Sequence, residues 1–92
     1  MFIKAGPNLI TSDEGYSVEI LGTNAIEYRE DARIMRVAAE VLGAPGIAVF
    51  VASIRSWEPP WESEEVPAEK RSRILKNIQD ALAFCGEYVA IH

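Results

Sequence analysis

Turn signals fall so close together in this chain that only short elements fit between them. Gly6-Pro7-Asn8, Ser12-Asp13-Glu14-Gly15, Gly22-Thr23-Asn24, Gly43-Ala44-Pro45-Gly46 and Glu58-Pro59-Pro60 punctuate the first two thirds. Glycine reaches backbone conformations that other residues avoid, proline fixes one and removes a donor, and Asn and Asp bond their own backbone. Segments of about four to ten residues bounded in this way read as strands. The chain has 92 residues, 49% of them hydrophobic and 25% charged, which predicts a single globular domain over 1–92 and excludes a disordered tail.

Period-two alternation marks the strands. Leu9-Ile10-Thr11 reads as the first. Ser17 to Leu21 follows, with Val18 and Ile20 on one face. Ala25 to Arg29 turns Ile26 and Tyr28 inward and Glu27 and Arg29 outward. Ile47 to Ser56 is apolar on both faces, the mark of a central strand covered on both sides. Arg33 to Leu42 supports two readings. As a helix it has Asp31 as N-cap, Gly43 as C′ and a stripe of Ile34, Val37, Ala38 and Val41. As a strand it turns Met35, Val37, Ala39 and Val41 inward and pairs with the Ile47 strand through Gly43-Ala44-Pro45-Gly46.

The last third reads as one helix from about Pro67 to Cys85. Pro67 suits the first helical position, Glu69 the first turn and Gly86 the C′ position. Ile74, Ile78, Ala81, Leu82 and Cys85 share one face at helical spacing. Tyr88 to Ile91 is a closing strand at or near an edge. The sum is an α+β fold: an antiparallel sheet of five to six strands, with the helix packed on it.

The chemistry-bearing residues are few. Cys85 is the sole cysteine and lies on the apolar helix face, where a small buried hydrophobe is expected. His92, the sole histidine, is expected to fray. Together they do not make a metal site or a nucleophilic pair, so no cofactor, metal or catalytic residue is expected. Asp13-Glu14 and Glu30-Asp31 sit at turns, where acids stand in water. Gly43-Ala44-Pro45-Gly46 lacks the Lys and Ser/Thr of a phosphate loop. Lys70, Arg71, Arg73 and Lys76 read as a solvated helix face with Glu69–Arg73 and Lys76–Asp80 pairs. A net charge of −5 disfavours nucleic acid as a partner. No apolar run spans a membrane, and the start shows no secretion signal, so a cytoplasmic location is expected.

Trp57-Glu58-Pro59-Pro60-Trp61-Glu62-Ser63-Glu64-Glu65 holds both tryptophans and four carboxylates, with no base. Tryptophan is enriched at binding hot spots, and prolines lower the entropy a loop loses on binding. Trp57, at a strand end, is expected to support the loop from the core. Trp61 is open to both readings, core filler or contact residue. As a contact it is the apolar anchor, with Glu58, Glu62, Glu64 and Glu65 as the electrostatic rim.

Gly6-Pro7-Asn8, Tyr28 with the turn after it, Ser53-Ile54-Arg55-Ser56-Trp57, and Arg73-Ile74-Leu75-Lys76-Asn77-Ile78 followed by Gly86 occur in this order. That order resembles immunity protein family 74 of bacterial polymorphic toxin systems. Trp57 is the best anchor of the resemblance, and Glu40 also looks like a family position, with a supporting role. The resemblance covers about Gly6 to Ile91 and favours the strand reading of Arg33 to Leu42. It implies a non-enzymatic protein that binds and neutralises a cognate toxin domain. Many such toxins are nucleases, whose basic surfaces an acidic chain suits. The chain itself is expected to be a monomer or a homodimer. The alternatives are a small non-catalytic accessory or dimerisation subunit of a larger enzyme complex, and a minor enzyme using Glu40 and other carboxylates.

Overall fold

A computed structural model describes residues 1–41 and 46–92. Among them are seven strands and one α-helix: β1 (Phe2–Lys4), β2 (Leu9–Ser12), β3 (Tyr16–Leu21), β4 (Ala25–Glu30), β5 (Arg33–Val41), β6 (Ile47–Val49), α1 (Ala68–Phe84) and β7 (Val89–Ile91). The strands form one sheet in chain order, antiparallel throughout except that β7 runs parallel to β6. A parallel pair needs a crossover, and α1 supplies it. The α+β architecture expected from the sequence is present, with one strand more than the upper expectation. The extra one is β1, three residues long, which pairs with β2 from Phe2↔Ser12 to Lys4↔Ile10.

Register explains the core. Val18, Tyr28 and Met35 form one cross-strand row, and Ile20, Ile26 and Val37 the next. All but the half-buried Ile20 are buried, so the period-two reading of β3 and β4 holds. Arg33 to Val41 is a strand. Its ladder to β4 runs unbroken from Ala25↔Ala38 to Glu30↔Arg33, and β6 pairs along its other edge from Ala39↔Val49 to Val41↔Ile47. Two ladders outweigh the local helix preference, which is worth well under about 1 kcal/mol per residue. Asp31, expected as a helix cap only in the other reading, lies in the β4–β5 turn at φ +55°, a conformation that Asp tolerates better than most. Val41 departs from the inward expectation: it is 44% exposed, at the strand's last position. The antiparallel pairing of β5 and β6 is formed, whereas residues 42–45 of the expected closing turn lie outside the described residues.

The Ile47 strand is shorter than expected, ending at Val49 rather than Ser56. Phe50 still donates to Ala38 O at 3.0 Å, but Val51–Ser53 then turn in a 3₁₀ helix. Ser53 is the cause. Its Oγ donates to Phe50 O at 2.6 Å and accepts the Ala38 N–H at 2.8 Å, taking the place of a ladder partner.

The helix begins one residue after Pro67, which is its N-cap, and ends at Phe84, with Cys85 as C-cap and Gly86 just beyond. Gly86 has φ +79°, where a side chain would be strained. The Glu87 N–H bonds Leu82 O at 3.0 Å and the Gly86 N–H bonds Ala83 O at 2.9 Å, the paired pattern that satisfies the last helical carbonyls. Ile74, Ile78, Ala81 and Leu82 are buried, on the face the spacing indicated. That face lies against β2, β3 and β7. Cys85 is half-buried at the core's margin. β7 is an edge strand, and His92 is tied rather than frayed: its N–H bonds Val49 O at 2.9 Å, and its carbonyl accepts the Val51 N–H at 3.1 Å.

Candidate functional site

The segment after the 3₁₀ turn is pinned to the sheet at both ends of its first stretch. Ile54 and Trp57 enter the core, and the Glu58 N–H bonds Ile34 O of β5 at 2.7 Å. The chain then coils through two turns, Trp61 N–H to Glu58 O and Glu64 N–H to Trp61 O, both 3.0 Å. The acidic loop therefore has a defined shape before anything binds it.

Trp57 and Trp61 separate in depth. Trp57 is 2% exposed, and its ring stacks on that of Tyr28 with centroids 6.3 Å apart. Trp61 is half-buried and packs on the core's edge. The Arg33 guanidinium lies over its ring, 4.4 Å from the centroid, a cation–π arrangement. The same guanidinium donates to both carboxylate oxygens of Glu64, Nε to Oε1 at 2.9 Å and Nη2 to Oε2 at 2.8 Å. Arg33 thus clamps ring and acid together, and the loop is not free of positive charge, as its own sequence implies. Glu58, Glu62 and Glu65 stand exposed around it. Glu40 is elsewhere: exposed on β5, with Ala48 as its cross-strand neighbour.

Beneath the loop lies a polar network that sequence reading missed. Tyr28 Oη donates to Glu30 Oε1 at 2.7 Å and accepts from Asn77 Nδ2 at 3.0 Å, and Lys70 Nζ donates to Glu30 Oε2. Glu30 is therefore not a solvated turn acid. Lys70 pairs across to the sheet, Lys76 pairs with Asp80 at 3.0 Å, and the expected Glu69–Arg73 pair is absent among the described residues. The partners lie 40 and 49 positions apart in the chain, so no local pattern announces them. The nearest signal was the Glu30-Asp31 acid pair beside a tyrosine.

Burial pushes the Tyr28 phenol well above its ordinary value, and the hydrogen bond it gives Glu30 adds to that. For Glu30, burial acts upward, but the bonds from Lys70 and Tyr28 outweigh it and hold the carboxyl below its ordinary 4.5. A carboxylate with a lowered folded value stabilises the fold above its unfolded value, and loses that contribution as the pH falls through the folded one. Acid unfolding should therefore draw on Glu30 below pH 4.5. In Glu30→Gln the fall in urea stability on acidification below that pH should be shallower than in wild type. Equal slopes would show that the carboxylate contributes nothing to the acid limb.

Two hollows flank the Glu30–Lys70 pair. One of about 330 Å³ is bordered by Trp57, Arg33 and Glu64, and an open groove of about 660 Å³ by Tyr16, Arg73, Asn77 and Asp80. No buried side-chain polar atom among the described residues lacks a partner, so the hydrogen bonds of the network are satisfied within the chain. Among the described residues no group of three or more His, Cys, Asp and Glu could hold a metal ion, and no helix is long and apolar enough to cross a membrane.

No curated protein and no solved structure matches the chain. A family model does match, over residues 17–91, and its description is Immunity protein 74. The match runs from β3 to β7 and takes in Trp57, the acidic loop, the Tyr28–Glu30–Lys70 network and the helix. On that match, over most of its length, the chain belongs to the immunity protein 74 family.

Proposed function

We propose that this chain is a non-catalytic immunity protein, which neutralises a cognate bacterial toxin domain by binding it from the cytoplasm of the producing cell. Membership of the immunity protein 74 family is the observation that carries the reading. The contact surface in this reading is the acidic loop, with Trp61 under Arg33 as anchor and Glu58, Glu62, Glu64 and Glu65 as rim. Trp57 supports the loop from the core, and Glu40 supports β5. A shape held by backbone bonds and by the Arg33 clamp loses little entropy on docking. A net charge of −5 favours a toxin with a basic substrate surface, such as a nuclease, and steers the two together.

Co-expression with the C-terminal toxin domain of the adjacent gene, scored by cell survival, tests the function. Rescue by this chain is expected, and death despite soluble expression would overturn the reading. For the surface, Trp61→Ala is expected to weaken toxin binding by about 2 kcal/mol or more. Because the ring packs on the core's edge, the variant should also lose up to about 1–2 kcal/mol of stability. Charge reversal of Glu58, Glu62 and Glu65 should mainly slow association, and the difference should shrink as salt rises. Association kinetics at low and high salt measure both. Wild-type behaviour of all these variants would place the interface elsewhere.

A further inference from the structure

In the run Ser53-Ile54-Arg55-Ser56-Trp57, three residues have structural work. Ser53 closes the 3₁₀ turn and holds the Ala38 N–H, while Ile54 and Trp57 are core. Arg55 and Ser56 are left exposed. The segment is tied to β5 at two points, Phe50 N–H to Ala38 O at 3.0 Å and Glu58 N–H to Ile34 O at 2.7 Å. Arg36 stands midway between those points, on the same outward face as Ile34 and Ala38, because side chains alternate along a strand. Arg36 and Arg55 thus border one groove of about 430 Å³ from opposite elements, with Ala38, Ser53, Ser56 and Glu58 among its other lining residues. Neither guanidinium makes an ion pair among the described residues. Glu27, the cross-strand neighbour of Arg36, engages Arg29 instead, at 3.5 Å.

We infer that Arg36 and Arg55 form a clamp for an acidic side chain of the toxin domain, beside the acidic loop; the inference rests on the proposed binding function. Arginine's planar fork of donors suits carboxylate and phosphate alike. The surroundings select the carboxylate of a protein. Glu58 borders the groove, the loop beyond it is acidic, and the chain's net charge is −5, so a polyanion such as nucleic acid is repelled. A single Asp or Glu set among basic residues of a toxin surface matches both features at once. Two arginines beside an acidic rim form a pattern that a uniformly basic surface does not satisfy, which gives selectivity among toxins as well as affinity.

The test is binding of the adjacent gene's toxin domain by wild type, by Arg36→Gln with Arg55→Gln, and by Arg71→Gln as an exposed arginine on the helix. The double variant is expected to raise Kd by about 100-fold. Arg71→Gln should leave Kd unchanged, and both variants should keep the wild-type urea midpoint. Wild-type affinity in the double variant overturns the clamp and leaves the proposed function standing, whereas a wild-type chain that does not bind overturns both. Inorganic phosphate, titrated onto the free protein and followed on the arginine Nε–H resonances, separates the anion sources. Saturation by phosphate together with unimpaired toxin binding by the double variant would make this a small-anion site and overturn the inference.

Discussion

Replacing Trp57 by alanine is expected to cost about 3–5 kcal/mol of stability, as removal of a fully buried aromatic does. The side chain is 2% exposed and stacks on Tyr28, which is itself fully buried and holds Glu30 and Asn77. The cavity would therefore open beside the polar network of Tyr28, Glu30, Lys70 and Asn77 that links sheet and helix, where a shifted Tyr28 leaves Glu30 and Lys70 poorly paired. Against a usual total of about 5–15 kcal/mol, that loss is a large fraction of the fold's stability. Urea unfolding of Trp57→Ala beside Trp57→Phe measures it. A loss below about 1.5 kcal/mol for the alanine variant would show that the ring does not fill the core as the packing indicates. Because Ile54 and Trp57 seat the segment that leads into the loop, toxin binding should weaken as well, but through a lower folded fraction. Stabilising the variant at low temperature should restore binding in a way that it does not for Trp61→Ala.

Ile78→Ala is expected to cost about 2–5 kcal/mol, measured the same way. Ile78 is 0% exposed at the middle of the helix face, with Ile74 one turn before it and Leu82 one turn after. A helix of 17 residues gains little from propensity alone, so its stability comes from this face against the sheet. Since α1 is also the crossover that places β7 beside β6, the loss should loosen that edge first. Amide exchange at Ala90 and His92 should quicken more than at Val18 or Tyr28. A cost below about 1 kcal/mol would mean that the face is not load-sharing with the sheet.

The sequence resolved what depends on neighbours in the chain. Alternation placed Val18, Ile26 and Tyr28 inward, and the 3.6-residue spacing placed Ile74, Ile78 and Leu82 on one face, because burial of one side repeats with the local geometry. Gly86 announced the helix end because its backbone conformation is closed to other side chains. The family resemblance was legible too, in short motifs strung in order, and Ser53-Ile54-Arg55-Ser56-Trp57 was visible as a motif before its tasks were.

Tertiary structure decided what depends on partners far away. Arg33–Val41 carries a helical composition and became a strand because β4 and β6 offer ladders on both edges. Phe2–Lys4 is too short to signal itself and is a strand only beside β2. Apolarity on both faces of Ile47–Ser56 could not show that Ser53 would fold back on Phe50 and end the strand at Val49. In the candidate site, the loop's composition told of tryptophan and acid but not of Arg33, which lies 31 positions from Glu64 and changes both the exposure of Trp61 and the charge of the rim. Glu30 and Lys70 met in the same way, across 40 positions. Side-chain pairs of that kind are set by which strands lie side by side and where the helix crosses them, and a linear pattern holds no record of either.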